Sequence, residues 1–398
     1  MAVGSKASSV QARVNMGDRK LLKRIGVIGG GQLAWMMAIA AKQLGLALVV
    51  QAASKNEPAA AVSDRMVIGE IDDFAATKAI AQMSDAITFE NEFVNLKQLA
   101  ELERVGVKFL PTLKMLGMLV DKYTQRQYLK QHHIPTPNFL SISDESDLIE
   151  AAQILGYPSV LKARRHGYDG KGTSVVKSES ELLIAWEAMG KAPALLEAYV
   201  NFKAELAVMV ARSESGARAV YPVVETQQVD QVCRRTIAPA RVAPEVTIRA
   251  EAIAKNIVSS LDLVGIYGIE LFLSGDDEVS VNEIAPRTHN SGHYTIEACE
   301  TSQFAQLLRV VSGMPLGKTR MTSPVAIMVN LLGYETSNSS YPSKQQQIAQ
   351  LPNTSLHWYG KSASKPGRKL GHATVLAENY AEAEAIADRI EKIWYEQG

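Results

Sequence analysis

Residues 24 to about 110 alternate short apolar strands with helices, whereas from about 138 to 330 strands follow one another with few helices between them. This change of rhythm constrains the fold more than any other feature. A strand that pairs with a parallel neighbour needs a long crossover, and a helix supplies it, so "RIGVIGG", "QLAWMMAIAAKQL" and "LALVVQA" read as a βαβ unit. "RMVIG", "AITFE" and "VKFLP" extend it into a parallel α/β sheet covered by helices. The later runs "SVLKA", "TSVVK", "ALLEAYV" and "ELAVMVARS" come with fewer helices interposed and read as antiparallel strands, which is α+β architecture. A helical pair after Pro111 ends at "PTP", a hinge signal. A long helix over 246–261 leads into two alternating strands joined at Gly275-Asp276-Asp277, a hairpin. The tail from "SPVAIMVNLLG" holds short strands, a basic "KSASKPGRKLGH" and a terminal helix. The boundaries that follow are a flexible extension over 1–22, a first domain over 23–118, a central one over 119–323 and a C-terminal one over 324–398.

Bulk properties narrow the function classes. The 398 residues carry 42 basic and 42 acidic side chains, a balance that speaks against a broad nucleic-acid or membrane surface but leaves room for a local basic pocket. No apolar run reaches transmembrane length. The two cysteines, Cys233 and Cys299, have no CxxC spacing, which excludes a disulfide framework and fits a reducing compartment. Residues 1–22 are basic and poor in acid, with the flavour of a transit peptide but no secretory apolar centre; they read as a frayed extension.

Several short constellations bear chemistry. In "GVIGGGQLA", Gly29, Gly31 and Ala34 satisfy G-x-G-x-x-A between a strand and a helix, either to hold a phosphate or to make a tight turn. The acidic residue that would hold an adenosine ribose at the end of the next strand is missing, with Gln51 near its place, which demotes a dinucleotide dehydrogenase. Glu90 and Glu92 in "TFENEF" stand at the carboxyl end of a strand, where they are either acceptors for sugar hydroxyls or a solvated loop.

The hairpin gives the sharpest signal. Folding it brings Glu270 and Glu283 nearly opposite each other among apolar neighbours. Two such carboxylates repel and are poorly solvated unless a cation intervenes. Mg²⁺ takes one or two protein carboxylates together with substrate phosphates, and Asn282 adds another oxygen. "APRTHNSGH" follows at once, with Arg287, His289, Asn290 and His293; the glycine and serine between its histidines argue against a zinc-binding helix. Lys162 ends the strand before "HGYDGKGT". Together they suggest a point charge and a pliable loop closing over a polyphosphate.

The ordered set "GGGQL", "FENE", Lys122 in "VDKYTQ", Lys162, "GYDGKG", "LLEAYV", "GIELF", "NEIAPRTHNSGH" and "PGRKLGH" resembles the 5-(carboxyamino)imidazole ribonucleotide synthase family of ATP-grasp enzymes, from about residue 24 to the end. The resemblance implies an ATP-grasp fold with an N-terminal Rossmann-like pre-ATP-grasp domain and a small C-terminal domain. It implies a ligase of purine biosynthesis that phosphorylates bicarbonate with ATP and carboxylates 5-aminoimidazole ribonucleotide, with Mg²⁺ (or Mn²⁺) as cofactor. It further implies a cytoplasmic homodimer that engages neither nucleic acid nor membrane.

Carried across by position, Lys122, Lys162 and the loop Gly167, Tyr168, Asp169, Gly170, Lys171, Gly172 and Thr173 would meet ATP. Glu197, Ala198, Tyr199 and Val200 would hold the adenine edge, Glu205 the ribose, and Asn282 would stand beside the Mg²⁺ ligands Glu270 and Glu283. Gly31, Gln32 and Leu33, with Lys361 and Arg368, would hold the ribonucleotide phosphate, and Glu90 or Glu92 its ribose. Tyr168, Asp169, Arg287, His289 and Asn290 would line the reacting centre, Arg287 facing the carboxyphosphate. One position departs from the family's "ENIH": here "ETQQ" puts Gln228 where a histidine touches the nucleotide. The related formate-dependent glycinamide ribonucleotide transformylases, and a nucleotide clamp without turnover, are the other readings.

Overall fold

The computed structural model describes residues 21–165, 167 and 172–396. Tyr168, Asp169, Gly170 and Lys171, named above for the ATP loop, lie outside the described residues, as does nearly all of the extension over 1–22.

Strands β1 (Arg24–Ile28), β2 (Ala47–Ala52), β3 (Arg65–Ile68) and β4 (Ala86–Phe89) form a parallel sheet in the order β3-β2-β1-β4. Ile25, Val27 and Val50 are wholly buried, the uniform burial expected of strands covered on both faces. The fifth strand read at "VKFLP" shrinks to a bridge between Ile87 and Phe109, because Pro111 has no N–H with which to continue the ladder.

The central part has two lobes. The smaller is an antiparallel sheet of β5 (Phe139–Ile142), β6 (Ser159–Ala163), β7 (Thr173–Val176) and β8 (Ala194–Ala198), ordered β5-β8-β6-β7. Lys162 pairs with Thr173, and the Ala163 N–H donates to Gly172 O at 2.7 Å, so β6 and β7 pair up to either end of the glycine-rich stretch. Gly172 closes it in the left-handed region, φ +73°.

The larger sheet is antiparallel: β9 (Phe202–Arg212), β10 (Arg218–Val220), β11 (Val224–Val229), β12 (Val232–Ala238), β13 (Gly265–Ser274), β14 (Val279–Ala285), β15 (Val325–Leu332), β16 (Thr354–Trp358) and β17 (Lys369–Ala377). Their order is β14-β13-β9-β11-β12-β15-β17-β16, with β10 beside β9. The helix Pro244–Ser260, Pro at its first turn, buries Val246, Ala250, Ala254 and Ile257 against one face. The tail strands join this sheet directly, since β12 and β15 pair from Arg235↔Val329 to Ala238↔Ala326. The sheet therefore runs unbroken past residue 324. Among the described residues no helix is long and apolar enough to cross a membrane.

Candidate active site

Glu270 and Glu283 face each other in register across β13 and β14. The hairpin folds as read, with Asp277 in the left-handed conformation at its turn. In a regular strand Asn282 would point away from the face that Glu283 occupies. A bulge beside Glu270 makes Asn282 the extra residue, and its Nδ2 donates to Glu270 Oε2 at 3.4 Å, so neighbours in sequence serve one site. Burial, then the charge of Glu283, pushes Glu270 up to about 7. Glu283 is drawn down despite its own burial, because Lys122 Nζ lies 2.5 Å from its Oε2. Among the described residues no cluster of three or more His, Cys, Asp or Glu side chains could hold a metal ion. A divalent cation completed by phosphate oxygens still fits this pair, and the ammonium on Glu283 already answers its demand for positive charge.

Lys162 and Lys122 converge on the same place from the other lobe and the connecting helix. Lys162 Nζ lies 3.1 Å from Asn282 Oδ1 and 2.7 Å from Glu197 Oε2. Arg126 Nε donates to Glu197 Oε1 at 2.6 Å, and its Nη2 donates to Asn282 O at 2.5 Å. Burial would raise the Glu197 carboxyl, but the two cations outweigh it and hold it at about 2. The Glu197 side chain is thus committed inside the protein. The carboxylate of Glu197, expected above at the adenine edge, is turned to these two cations, and Tyr199 beyond it is exposed.

Asp121 caps the helix Lys122–Gln131, accepting from Tyr123 N and Thr124 N, and also takes Arg164 and Arg165 from the base of the glycine loop. Loop and lysine helix are therefore tied at one carboxylate, and Gly167 lines a cleft with Glu92, Lys122, Arg165 and Glu283. Glu205 pairs with Phe272 two positions along β9 from Ala207, the partner of Glu270, which places it on the same sheet face; burial pushes it up to about 6. Gln228 in β11 stands opposite Cys233, just past a bulge that makes Arg234 the extra residue of β12.

Arg287 holds Glu92 through two parallel bonds of 2.5 and 2.8 Å, joining two residues that the sequence places 195 positions apart. His289 lies over Gly268, where an added Cβ would come 2.5 Å from the His289 Cβ. Its ring bonds Ser291 Oγ at 2.9 Å, and burial, then Arg287, pulls its pKa down to about 4, so it is neutral at pH 7. Asn290 exchanges two amide hydrogen bonds with the fully buried Asn330.

The first glycine turn encloses carboxylates. A Cβ at Gly30 would meet Glu57 Oε2 at 2.2 Å, and one at Gly31 would meet Glu90 Oε1 at 2.5 Å. Burial raises both acids, and the N–H groups of Gly30 and Leu33 bond to Glu57 and Glu90 respectively. A phosphate reaching Gly31, Gln32 and Leu33 would share the turn with these groups. Lys361 comes to the same corner: it acts on the charge of Glu90 and lies 5.6 Å over the ring of Tyr359, which packs edge-on against Trp35. Arg368 Nη1 donates to Ala363 O in the same segment. Gln51 is engaged internally, donating to Glu70 O and accepting from Thr77, so nothing there serves a dinucleotide ribose.

Arg126, Asp121 and Asn330 are absent from the sequence reading. Arg126 had a signal, since it lies one helical turn beyond Lys122 on the same face.

Residues 22–119 match the ribonucleotide synthetase preATP-grasp domain, 127–304 the ATP-grasp domain, and 326–386 the phosphoribosylaminoimidazole carboxylase C-terminal domain. An N5-carboxyaminoimidazole ribonucleotide synthase of Synechococcus elongatus is 50% identical over 379 residues, spanning 94% of this chain and 96% of its own length. The chain belongs to the N5-carboxyaminoimidazole ribonucleotide synthase family. It is an ATP-dependent ligase of purine biosynthesis with the ATP-grasp fold, as the motifs imply. The ADP complex of an N5-carboxyaminoimidazole ribonucleotide synthetase superposes with a TM-score of 0.87 at 38% identity, covering 94% of this chain and 97% of that one. The synthase from Aspergillus clavatus, solved with ADP and 5-aminoimidazole ribonucleotide, superposes with a TM-score of 0.87 at 33% identity, covering 93% and 98%.

Proposed function

We propose that this ligase joins bicarbonate to the exocyclic amine of 5-aminoimidazole ribonucleotide with ATP, and that the residues above divide the work. A bicarbonate oxygen forms a bond to the γ-phosphorus as the bond to ADP breaks, giving carboxyphosphate. The amine, or CO₂ released beside it, then yields the N–C bond; phosphate leaves and the amine gives up a proton. Glu270 and Glu283, with Asn282 beside them, would hold Mg²⁺, which supplies charge neutralisation to the triphosphate when bound. Lys122 and Lys162 would exchange their carboxylates for phosphate oxygens under the loop from Gly167 to Thr173. Backbone over 198–200 would read adenine, Glu205 the ribose, and Gln228 would donate an uncharged hydrogen bond.

Arg287 is held protonated and its fork is planar, which suits the oxyanions of carboxyphosphate. His289 and Asn290 would orient the reacting carboxyl beside it, together with Tyr168 and Asp169. The ribonucleotide phosphate would reach Lys361 and Arg368 near the turn at Gly31–Leu33, with Glu92 or Glu90 toward its ribose.

The observation that carries this reading is the in-register Glu270–Glu283 pair on which both lysines converge. ADP release measured with and without 5-aminoimidazole ribonucleotide in bicarbonate buffer tests it: release should require both. Activity that survives replacement of bicarbonate by formate would assign the transformylase chemistry instead. Glu283→Gln should slow phosphate release by about 100-fold or more, since it weakens several kcal/mol of charge stabilisation; near-normal turnover removes Glu283 from the mechanism.

A further inference from the structure

Arg126 is not among the residues expected to touch ATP, yet its charged side chain is only 2% exposed. It is locked at both ends, by Glu197 Oε1 at 2.6 Å and by Asn282 O at 2.5 Å, one in the small lobe and one in the large sheet. Glu197 is equally buried and holds a second cation, Lys162, at 2.7 Å. These cations differ in kind. The guanidinium is a rigid planar fork fixed by two acceptors, whereas the ammonium is a point charge on a flexible stem with rotatable donors. If Lys162 is to meet a phosphate it must leave Glu197, and a buried carboxylate stripped of every partner is strongly unfavourable. Lys162 can leave only if another charge stays behind.

We propose that Arg126 is a positioning residue for nucleotide binding: it remains on Glu197 as the fixed counter-charge, so that Lys162 can exchange that carboxylate for a phosphate oxygen of ATP. Without Arg126, Lys162 would be the sole partner of Glu197 and would be retained there. The proposal rests on the reading of Lys162 as a phosphate ligand. It gives Glu197 a function other than base recognition, as an anchor that stores Lys162 next to Asn282.

Binding of ATP and of adenosine to the full chain, titrated in parallel with Mg²⁺ present, tests it. Lys162→Met should weaken ATP and leave adenosine unchanged; an unaltered ATP affinity there would refute the reading of Lys162 itself. Given that result, Arg126→Met should weaken ATP about 10- to 100-fold, the scale of a buried charge losing its partner, with adenosine within about 2-fold. Arg126→Lys should fall between the parent and Arg126→Met for ATP, because the counter-charge persists but the fork that fixes it to two acceptors is lost. The double variant Arg126→Met with Glu197→Met removes anchor and counter-charge together, a replacement that buried ion pairs tolerate, and should bring ATP affinity back to within about 5-fold. Unchanged ATP binding in Arg126→Met overturns the proposal, as does an equal loss for ATP and adenosine, which marks a merely structural role. Failure of the double variant to recover ATP affinity overturns it whether or not the single variant folds.

Discussion

Glu205 carries a carboxyl that burial pushes up to about 6, from an ordinary value of 4.5. A carboxylate accepts hydrogen bonds from both ribose hydroxyls, whereas the protonated acid has lost part of that capacity. The ionised fraction is about one tenth at pH 5 and about nine tenths at pH 7, so KM for ATP should fall by roughly 5- to 10-fold as pH rises across that window. Glu205→Gln should have a shallower profile than the parent, since Glu270 still titrates in this window; equal slopes in the two proteins would remove Glu205 from the ribose site. The sign for stability is opposite. A carboxyl whose folded pKa is raised contributes stability that is complete below the unfolded value and lost as pH rises through about 6. Glu205→Gln should therefore melt at a higher temperature than the parent at pH 8 and at nearly the same temperature at pH 4.5. If Glu205 binds the ribose as proposed, activity and stability pull this one side chain in different directions.

At the scale of elements, the β13–β14 hairpin carries the Glu270–Glu283 pair, and its geometry depends on two backbone features. One is the bulge that turns Asn282 to the side of Glu283. The other is Gly268, whose bare Cα lets His289 pack against the strand. Gly268→Ala forces a Cβ within 2.5 Å of the His289 Cβ and 3.4 Å of Met209 Sδ. Overpacking of this kind costs about 1–3 kcal/mol, so a lowered melting temperature and a turnover reduced more than ATP affinity are expected, measured by thermal denaturation and by separate kcat and KM values. The hairpin was legible in the sequence because alternation and a Gly-Asp-Asp turn fix register, and register alone decides that Glu270 meets Glu283. The bulge was not legible, since the period of two places Asn282 on the wrong face. The helix Lys122–Gln131 was found, but its polar run "KYTQRQ" hides the fact that Arg126 and Gln125 point inward to buried partners. The first glycine turn was legible as a turn; that it closes around Glu57 and Glu90 depends on residues brought in by the sheet order, which a local motif does not contain. The Glu92–Arg287 pair lies beyond any local signal.

At the scale of the molecule, the C-terminal domain matched over 326–386 is joined edge to edge to the sheet of the larger lobe. β15 pairs with β12 on one side and β17 on the other, and the last helix, Tyr380–Tyr395, closes the core beneath them with Ala383, Ala387, Ile390 and Trp394 fully buried. Trp394 Nε1 donates to Leu332 O at 2.8 Å, and Tyr395 OH donates to Asn330 O at 3.0 Å. Asn330 in turn holds Asn290, so the final helix is two contacts from a residue proposed to orient the reacting carboxyl. Arg235 reinforces the union from β12, reaching Asp388 and Glu391 on that helix at 2.7 Å each. Cutting the chain after residue 323 would leave β12 as a bare edge and strip Ile237 of its apolar neighbours Val325, Ile327 and Val375. Each large apolar side chain exposed loses about 1.5–3 kcal/mol, and several such losses exceed the total stability of about 5–15 kcal/mol that a typical domain possesses. A chain ending at 323 should therefore fail to bind ATP and should aggregate through the exposed edge of β12, which gel filtration and nucleotide titration would reveal. A monodisperse fragment that binds ATP normally would mean that the ATP-grasp lobes fold without the tail, and that pairing between β12 and β15 joins two independent units.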